Sequence, residues 1–421
     1  MRRWTAVIAV ALVVAACGGD GGTEAGDAVN LLFVLFGDAV ETAGYQEMID
    51  DFEAENPDVR ITLSPVATQD DLLAKLSTGF AGGSPPDVFL INYRRYGQFA
   101  AEGALEPVGP YLDASDVISV DDFAETAMAP FSFDGGPLLC LPQNISSLQV
   151  YYNVDLFEQA RVPLPEAGWT WDDFLAAAQA LTSDGQYGLG IEPSIIRIAP
   201  FVWSNGAELV NDQEDPSRLI LGEGPAREAL DFFLDLRLVH EVTPPQREEL
   251  SQDAESRFLA GGLGMYLNSR RVVPTLRTIT EFTWDVASLP VAPGGEPSTI
   301  LHGDAYCMSA AAEHHDETWR FIEYANSPAG QTVLAESGRT VPSRLDVAGS
   351  DAFLNPGEPP ASAQVFLDVV PYVRPVPVTA SWLRAEQEAD TILEQVFYGQ
   401  IDRDEGIRRL IEETEPILSG S

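Results

Sequence analysis

Residues 141–160, LPQNISSLQVYYNVDLFEQA, decide the fold. An apolar strand over Leu138–Leu141 breaks at Pro142, meets Gln143, Asn144 and Ser146, and then returns to the aromatic pair Tyr151 and Tyr152. Two readings fit this order. The polar run is an ordinary turn, or it belongs to a strand that crosses between two lobes and faces its amide and hydroxyl groups into a solvent-filled cleft.

The sequence upstream favours a lobe that ends there. Asn30–Phe36 (NLLFVLF) is a continuous apolar run bounded by Gly37, the pattern of a strand covered on both faces. Tyr45, Met48, Ile49 and Phe52 recur at helical spacing over 41–56, and Pro57 stops that helix. Val59, Ile61 and Leu63 alternate along a second strand, Leu72, Leu73, Leu76 and Phe80 mark a second helix, and Asp87–Ile91 is a third buried strand. The order β-α-β-α-β predicts a parallel, doubly wound sheet. Ligands of such sheets sit beyond the carboxyl ends of the strands, here Phe36-Gly37-Asp38 and Asn92-Tyr93-Arg94.

Downstream a second α/β region is predicted. Thr170 and Asp173 have capping-box spacing ahead of Phe174, Ala177, Ala178 and Leu181. Further helices are expected over 225–238, 317–326, 329–336, 382–397 and 402–418, with loops over 359–363 and 371–378. A chain of 421 residues exceeds a typical single core, which also argues for two lobes.

Composition limits the function. The net charge is −41 and Lys75 is the only lysine, so phosphate backbones are repelled and nucleic acid is excluded as a partner. A neutral or cationic ligand is favoured, with an anionic one held by a local arginine as the alternative. His240, His302, His314 and His315 form no spaced metal or triad motif, and no GxSxG, P-loop or CxxC occurs. Gly261-Gly262-Leu263-Gly264 precedes a strand instead of a helix and does not fit a phosphate cradle. The expectation is therefore a protein without catalysis, cofactor or metal.

The chain opens with Arg2-Arg3 and the apolar run Trp4–Ala16, shorter than the roughly 20 residues of a membrane-spanning helix. This is the layout of a secretory signal peptide over 1–16. Val14-Ala15-Ala16-Cys17 resembles a bacterial lipobox, which implies lipidation of Cys17, and the Gly-rich, acidic segment 17–28 reads as a tether. Two further cysteines remain, Cys140 and Cys307, whose spacing fits a disulfide or two buried thiols equally well.

Taken in order, the motifs resemble the carbohydrate-type extracellular solute-binding proteins of ABC importers, the maltose-binding-protein-like group. The matching segments are Pro86-Asp87-Val88, Leu141-Pro142 with Tyr152–Phe157, Trp169–Phe174, Trp203-Ser204-Asn205-Gly206-Ala207-Glu208-Leu209, and Gly264-Met265-Tyr266. Ser288–Val291, Gly303–Tyr306, Trp319–Ile322 and Val341–Arg344 continue the series, which spans nearly the whole chain. The resemblance implies a periplasmic-binding-protein-like fold of two doubly wound α/β lobes joined by three hinge crossings. The first lobe would hold 29–140 plus about 305–342 and the second 141–304 plus about 343–421. It also implies a monomer, tethered to the outer face of the cell membrane, that hands a mono- or oligosaccharide to permease subunits. The first crossing would be Leu138–Leu141 and the second Ala305–Ser309; lying side by side, they would let Cys140 and Cys307 meet.

A sugar presents hydroxyls and apolar C–H faces, so it calls for planar donors and acceptors and aromatic rings at strand ends and hinges. The candidates are Phe36 and Asp38; Asn92 and Tyr93; Asn144; Trp203 and Asn205; Asn268 and Arg270; His302, Asp304 and Tyr306; Arg344; and Trp382. Several have plainer roles open to them: Asp38 as a helix cap, Asn92 as a turn residue, Arg344 as a structural hinge arginine, Trp382 as a helix staple. Arginines converging on one point would favour a phosphate, and inward-facing acids a cation.

Overall fold

The computed structural model describes residues 28–420. The signal peptide, Cys17 and all but the last residue of the expected tether lie outside the described residues.

Strands β1 (Val29–Phe36), β2 (Val59–Val66) and β3 (Val88–Asn92) form a parallel sheet in the order β2-β1-β3. Side chains alternate across it as the pleat requires. Leu31, Phe33 and Leu35 pack one face with the helices Ala39–Glu55 and His315–Ala325, while Val34 and Phe89 pack the other with Gln69–Ala81 and Tyr93–Ala101. Helices on both faces make this sheet doubly wound. Phe33 alone meets the rings of Tyr45, Tyr306 and Phe321 at 5.7, 5.9 and 5.3 Å; burying such a side chain stabilises by about 1.5–3 kcal/mol.

The remaining strands are β4 (Leu105–Glu106), β5 (Cys140–Pro142), β6 (Ser146–Ser147), β7 (Gln149–Asn153), β8 (Tyr187–Gly190), β9 (Leu263–Asn268), β10 (Trp284–Ala287), β11 (Thr299–His302), β12 (Asp304–Ser309) and β13 (Val373–Arg374). β12 returns to the first sheet antiparallel to β3, and its outer edge pairs with β5 and β4. A second, mixed sheet has the order β10-β7-β9-β8, and a third small one the order β13-β11-β6. One apolar cluster is continuous from Val34 and Phe89 of the first sheet to Val150 and Met265 of the second.

The polar run after Pro142 is not a surface turn. Gln143, Asn144, Ser146, Ser147 and Gln149 are all buried. Residues 341–344 run against them: Ile145 N–H donates to Val341 O (2.9 Å), Ser343 N–H to Gln143 O (3.3 Å), and Ser343 Oγ to Pro142 O (2.6 Å). On the other side β5 lies along β12, with Cys140 opposite Cys307, and a disulfide joins the two. Three passes of the chain therefore lie side by side at 140–147, 299–309 and 341–344.

Two details differ from expectation. The strand expected over 138–141 begins at Cys140 and continues through Pro142, which tolerates the ladder because its carbonyl is used by Ser343 while its missing N–H demands no partner. The loop expected over 371–378 contains the end of the 3-10 turn Val370–Tyr372 and the two-residue strand β13. Pairs as short as β4, β6 and β13 carry no period to read.

Candidate functional site

The three passes bring carboxyl, amide, guanidinium and imidazole groups together. Asp304, at the start of β12, accepts from Asn92 Nδ2 through Oδ1 (3.1 Å) and from Asn144 Nδ2 through Oδ2 (3.2 Å). Asn92 ends β3 and caps the helix Tyr93–Ala101, taking the N–H of Arg94 on its Oδ1. Asn144 also donates to Gln143 Oε1 (2.7 Å) and accepts from Ser146 N–H (3.3 Å). Burial pushes the Asp304 carboxyl up, against the opposing pull of the Asn144 and Asn92 hydrogen bonds and of Arg94 and Arg339.

From the helix after β3, Arg94 pairs with Glu386, and both side chains are buried. Trp382 Nε1 donates to the other oxygen of Glu386 (3.0 Å). Tyr93 OH accepts the N–H of Val376 (3.1 Å). One turn on from Glu386, Asp390 Oδ1 accepts the N–H of Ile195 (2.6 Å) at the head of the helix Ile195–Ser204. Burial, and then the nearby Glu386 charge, push the Asp390 carboxyl up to about 7.

His302 ends β11 opposite Ser146. Its ring is held well below its usual range, first by burial and then by the charges of Arg197, Arg94 and Arg271, so the imidazole is neutral. Several buried groups here have no partner within the protein: Arg94 Nε, Gln149 Oε1, Ser194 Oγ, Arg197 Nε and Nη1, and His302 Nε2.

Asp38 caps the helix Ala39–Glu55 through Val40 and Glu41 N–H, and its second oxygen pairs with Arg339. Arg339 also holds Glu41 (2.7 Å), whose carboxyl burial raises to about 7. Phe36, half-buried, closes β1 beside this group. Tyr306 lies on the same face of β12 as Asp304, but its ring packs with Phe33 and Phe321.

The other candidates make their contacts outside this group, although Asn268 lies opposite Gln149 in the β7–β9 pairing. Trp203 sits six residues beyond Arg197 in its helix, about 9 Å along the axis, under the guanidinium of Arg374 at 4.8 Å. Asn205 donates to Pro225 O (2.8 Å) and lines a separate groove with Trp203, Gly206 and Pro293–Glu296. Asn268 bonds the Tyr266 hydroxyl, and Arg270 is fully buried between the rings of Phe353 and Phe366 at 4.6 and 4.9 Å. Arg344 pairs with Asp122 and Asp346. The structure thus gathers Asn92, Tyr93, Asn144, His302, Asp304 and Trp382, with Asp38 and Phe36 at the margin.

Arg94, which the sequence places at the end of β3, joins them, and the structure adds Arg197, Glu386 and Asp390. The last two were readable: they lie on one stripe with Trp382, Leu393 and Phe397 at spacings of three and four, acids on an otherwise apolar face. Arg197 is likewise an arginine inside the apolar run Ile195–Val202. Among the described residues no group of three or more His, Cys, Asp or Glu could hold a metal, and no helix is long and apolar enough to cross a membrane.

Comparison with known proteins gives a consistent picture. A family model described as bacterial extracellular solute-binding protein matches residues 37–332. A Brucella abortus chain, named only provisionally as a binding protein, is 24% identical over 99% of both chains. The ABC substrate-binding protein Lmo0181 of Listeria monocytogenes, solved with cycloalternan, superposes with a TM-score of 0.84 at 21% identity, covering 94% of this chain and 99% of that one. The sugar-binding protein MalE of Xanthomonas citri gives 0.81 at 22% identity, covering 93% and 98%.

Proposed function

Because the chain belongs to the bacterial extracellular solute-binding protein family, we propose that it captures a mono- or oligosaccharide for an ABC importer. The observation that carries the reading is the junction where Asn92, Asn144 and Asp304, from three distant segments, share hydrogen bonds beside Trp382 and Arg94. Planar amide, carboxylate and guanidinium groups next to an indole are the chemistry that vicinal hydroxyls and apolar sugar faces require. The Listeria neighbour, a substrate-binding protein solved with cycloalternan, and the Xanthomonas sugar-binding protein support the same ligand class.

Two lobes, 29–140 with about 305–342 and 141–304 with about 343–421, would close on the ligand about the three side-by-side passes. A ligand touching both walls shifts the open–closed equilibrium by its differential affinity. The closed monomer would then dock on permease subunits. The sequence Val14-Ala15-Ala16-Cys17 supports a lipid anchor at Cys17 on the outer face of the membrane. The step is binding, with no bond made or broken.

A thermal-shift screen of the purified protein against mono-, di- and oligosaccharides, with polyamines as the contrasting set, tests this. A ligand at about 100 times its dissociation constant adds roughly 2.7 kcal/mol, several degrees at this size. A shift from one group of sugars is expected. A shift from polyamines with silence from every sugar would overturn the ligand class.

A further inference from the structure

The pairing of the buried groups narrows the kind of carbohydrate. The carboxylates near the junction are already engaged. Asp304 has both oxygens bonded to amides, Glu386 holds Arg94 and Trp382, and Asp390 takes the Ile195 N–H. Only the second oxygen of Asp390 is left without a hydrogen bond among them, and burial holds that carboxyl up at about 7, which leaves little for a cationic ligand.

The unpaired groups are chiefly donors. Arg197, the third residue of the helix Ile195–Ser204, is 5% exposed, and neither Nε nor Nη1 has a partner. Its Nη2 reaches only Glu192, at 3.4 Å, and the Glu192 side chain is 61% exposed. Arg94 Nε is also unpaired, and the N-cap Ser194 makes no capping bond, leaving its Oγ unpartnered. A buried guanidinium whose donors lack acceptors costs several kcal/mol. The positive end of the helix dipole lies at the same place. The neighbouring imidazole of His302 is neutral, and Asp390, raised to about 7, adds less than a full negative charge. A hydroxyl could occupy one donor; only an anion offsets the charge and fills the fork.

We propose that the captured carbohydrate bears an anionic group, a phosphate ester or a carboxylate, and that Arg197 at the head of the helix Ile195–Ser204 reads it. This rests on the carbohydrate reading above and reverses the preference for a neutral or cationic ligand drawn from net charge. The acidity belongs to the surface, and the unpaired buried groups have the opposite bias.

The test is calorimetric titration with matched sets: glucose, glucose 1-phosphate and glucuronate; galactose, galactose 1-phosphate and galacturonate. At least one anionic member should bind tenfold or more tighter than its neutral partner, and the phosphate and uronate arms identify which anion is read. Arg197→Gln should cost that anion at least tenfold more than it costs the matched neutral sugar, and Arg197→Lys should fall between, keeping the charge without the fork. Unchanged circular dichroism and Tm in Arg197→Lys guard against misfolding. A neutral sugar binding as tightly as its anionic partner, or Arg197→Gln weakening both equally, overturns the inference and leaves sugar capture standing. Binding by no member of any set counts against both.

Discussion

At the scale of the residue, the junction is built from groups that folding would otherwise penalise. Asp390 is the sharpest case: half-buried beside Glu386, near Arg94 and Arg197, and holding the Ile195 N–H. Its folded pKa of about 7 lies above the ordinary 3.8, so its contribution is fully present below about pH 4 and is lost as pH rises through 7. Asp390→Asn keeps an acceptor for the Ile195 N–H and removes the titration. The variant should match the parent in Tm at pH 4 and exceed it at pH 8; a difference independent of pH would contradict this placement. Asn92, Asn144 and Asp304 could be singled out in the sequence because they stand at strand ends or at a break in an apolar pattern. Asp390, Glu386 and Arg197 could not be singled out by that rule, since a charged residue within a helix is ordinarily solvated. Only its position on the apolar stripe marks it.

At the scale of the element, the strand–helix alternation of residues 29–92 was legible, because β1 and β3 are near-continuous apolar runs, β2 alternates buried and exposed residues, and each helix carries a cap and a stripe. Asp38, Thr68 and Asn92 supply those caps in the structure. The capping box at Thr170 and Asp173 is formed as well. The mixed second sheet was not legible in its pairing: β7 lies between β9 and β10, more than a hundred residues downstream, and register over such distances leaves no local pattern. The disulfide between β5 and β12 closes a separation of 167 residues across two of the three passes. Removing a cross-link of this kind typically costs 2–5 kcal/mol, roughly, in small secreted domains. Reduction, or the double variant Cys140→Ser with Cys307→Ser, should lower the unfolding free energy by an amount of that order, read as a lower denaturation midpoint. An unchanged midpoint would show that the crossings hold without it.

At the scale of the molecule, two sheets share one apolar cluster, and the passes that connect them also carry the polar junction. On the two-lobe reading proposed above, ligand capture and hinge motion would involve the same segments. Opening the lobes would separate Arg94 from Glu386 and Tyr93 from Val376, contacts that join the helix after β3 to the C-terminal region. In the proposed capture a ligand touching both walls adds to those contacts interactions that only the closed form can make, which is how binding would select it. The net charge of −41 favours solubility and disfavours association with nucleic acid, while the recognition chemistry stays inside. The measurement that bears most directly on capture by closure is small-angle X-ray scattering of the purified protein, with and without the sugar that shifts its melting temperature. The account predicts a smaller radius of gyration at saturating ligand; an identical scattering profile with ligand demonstrably bound would contradict it.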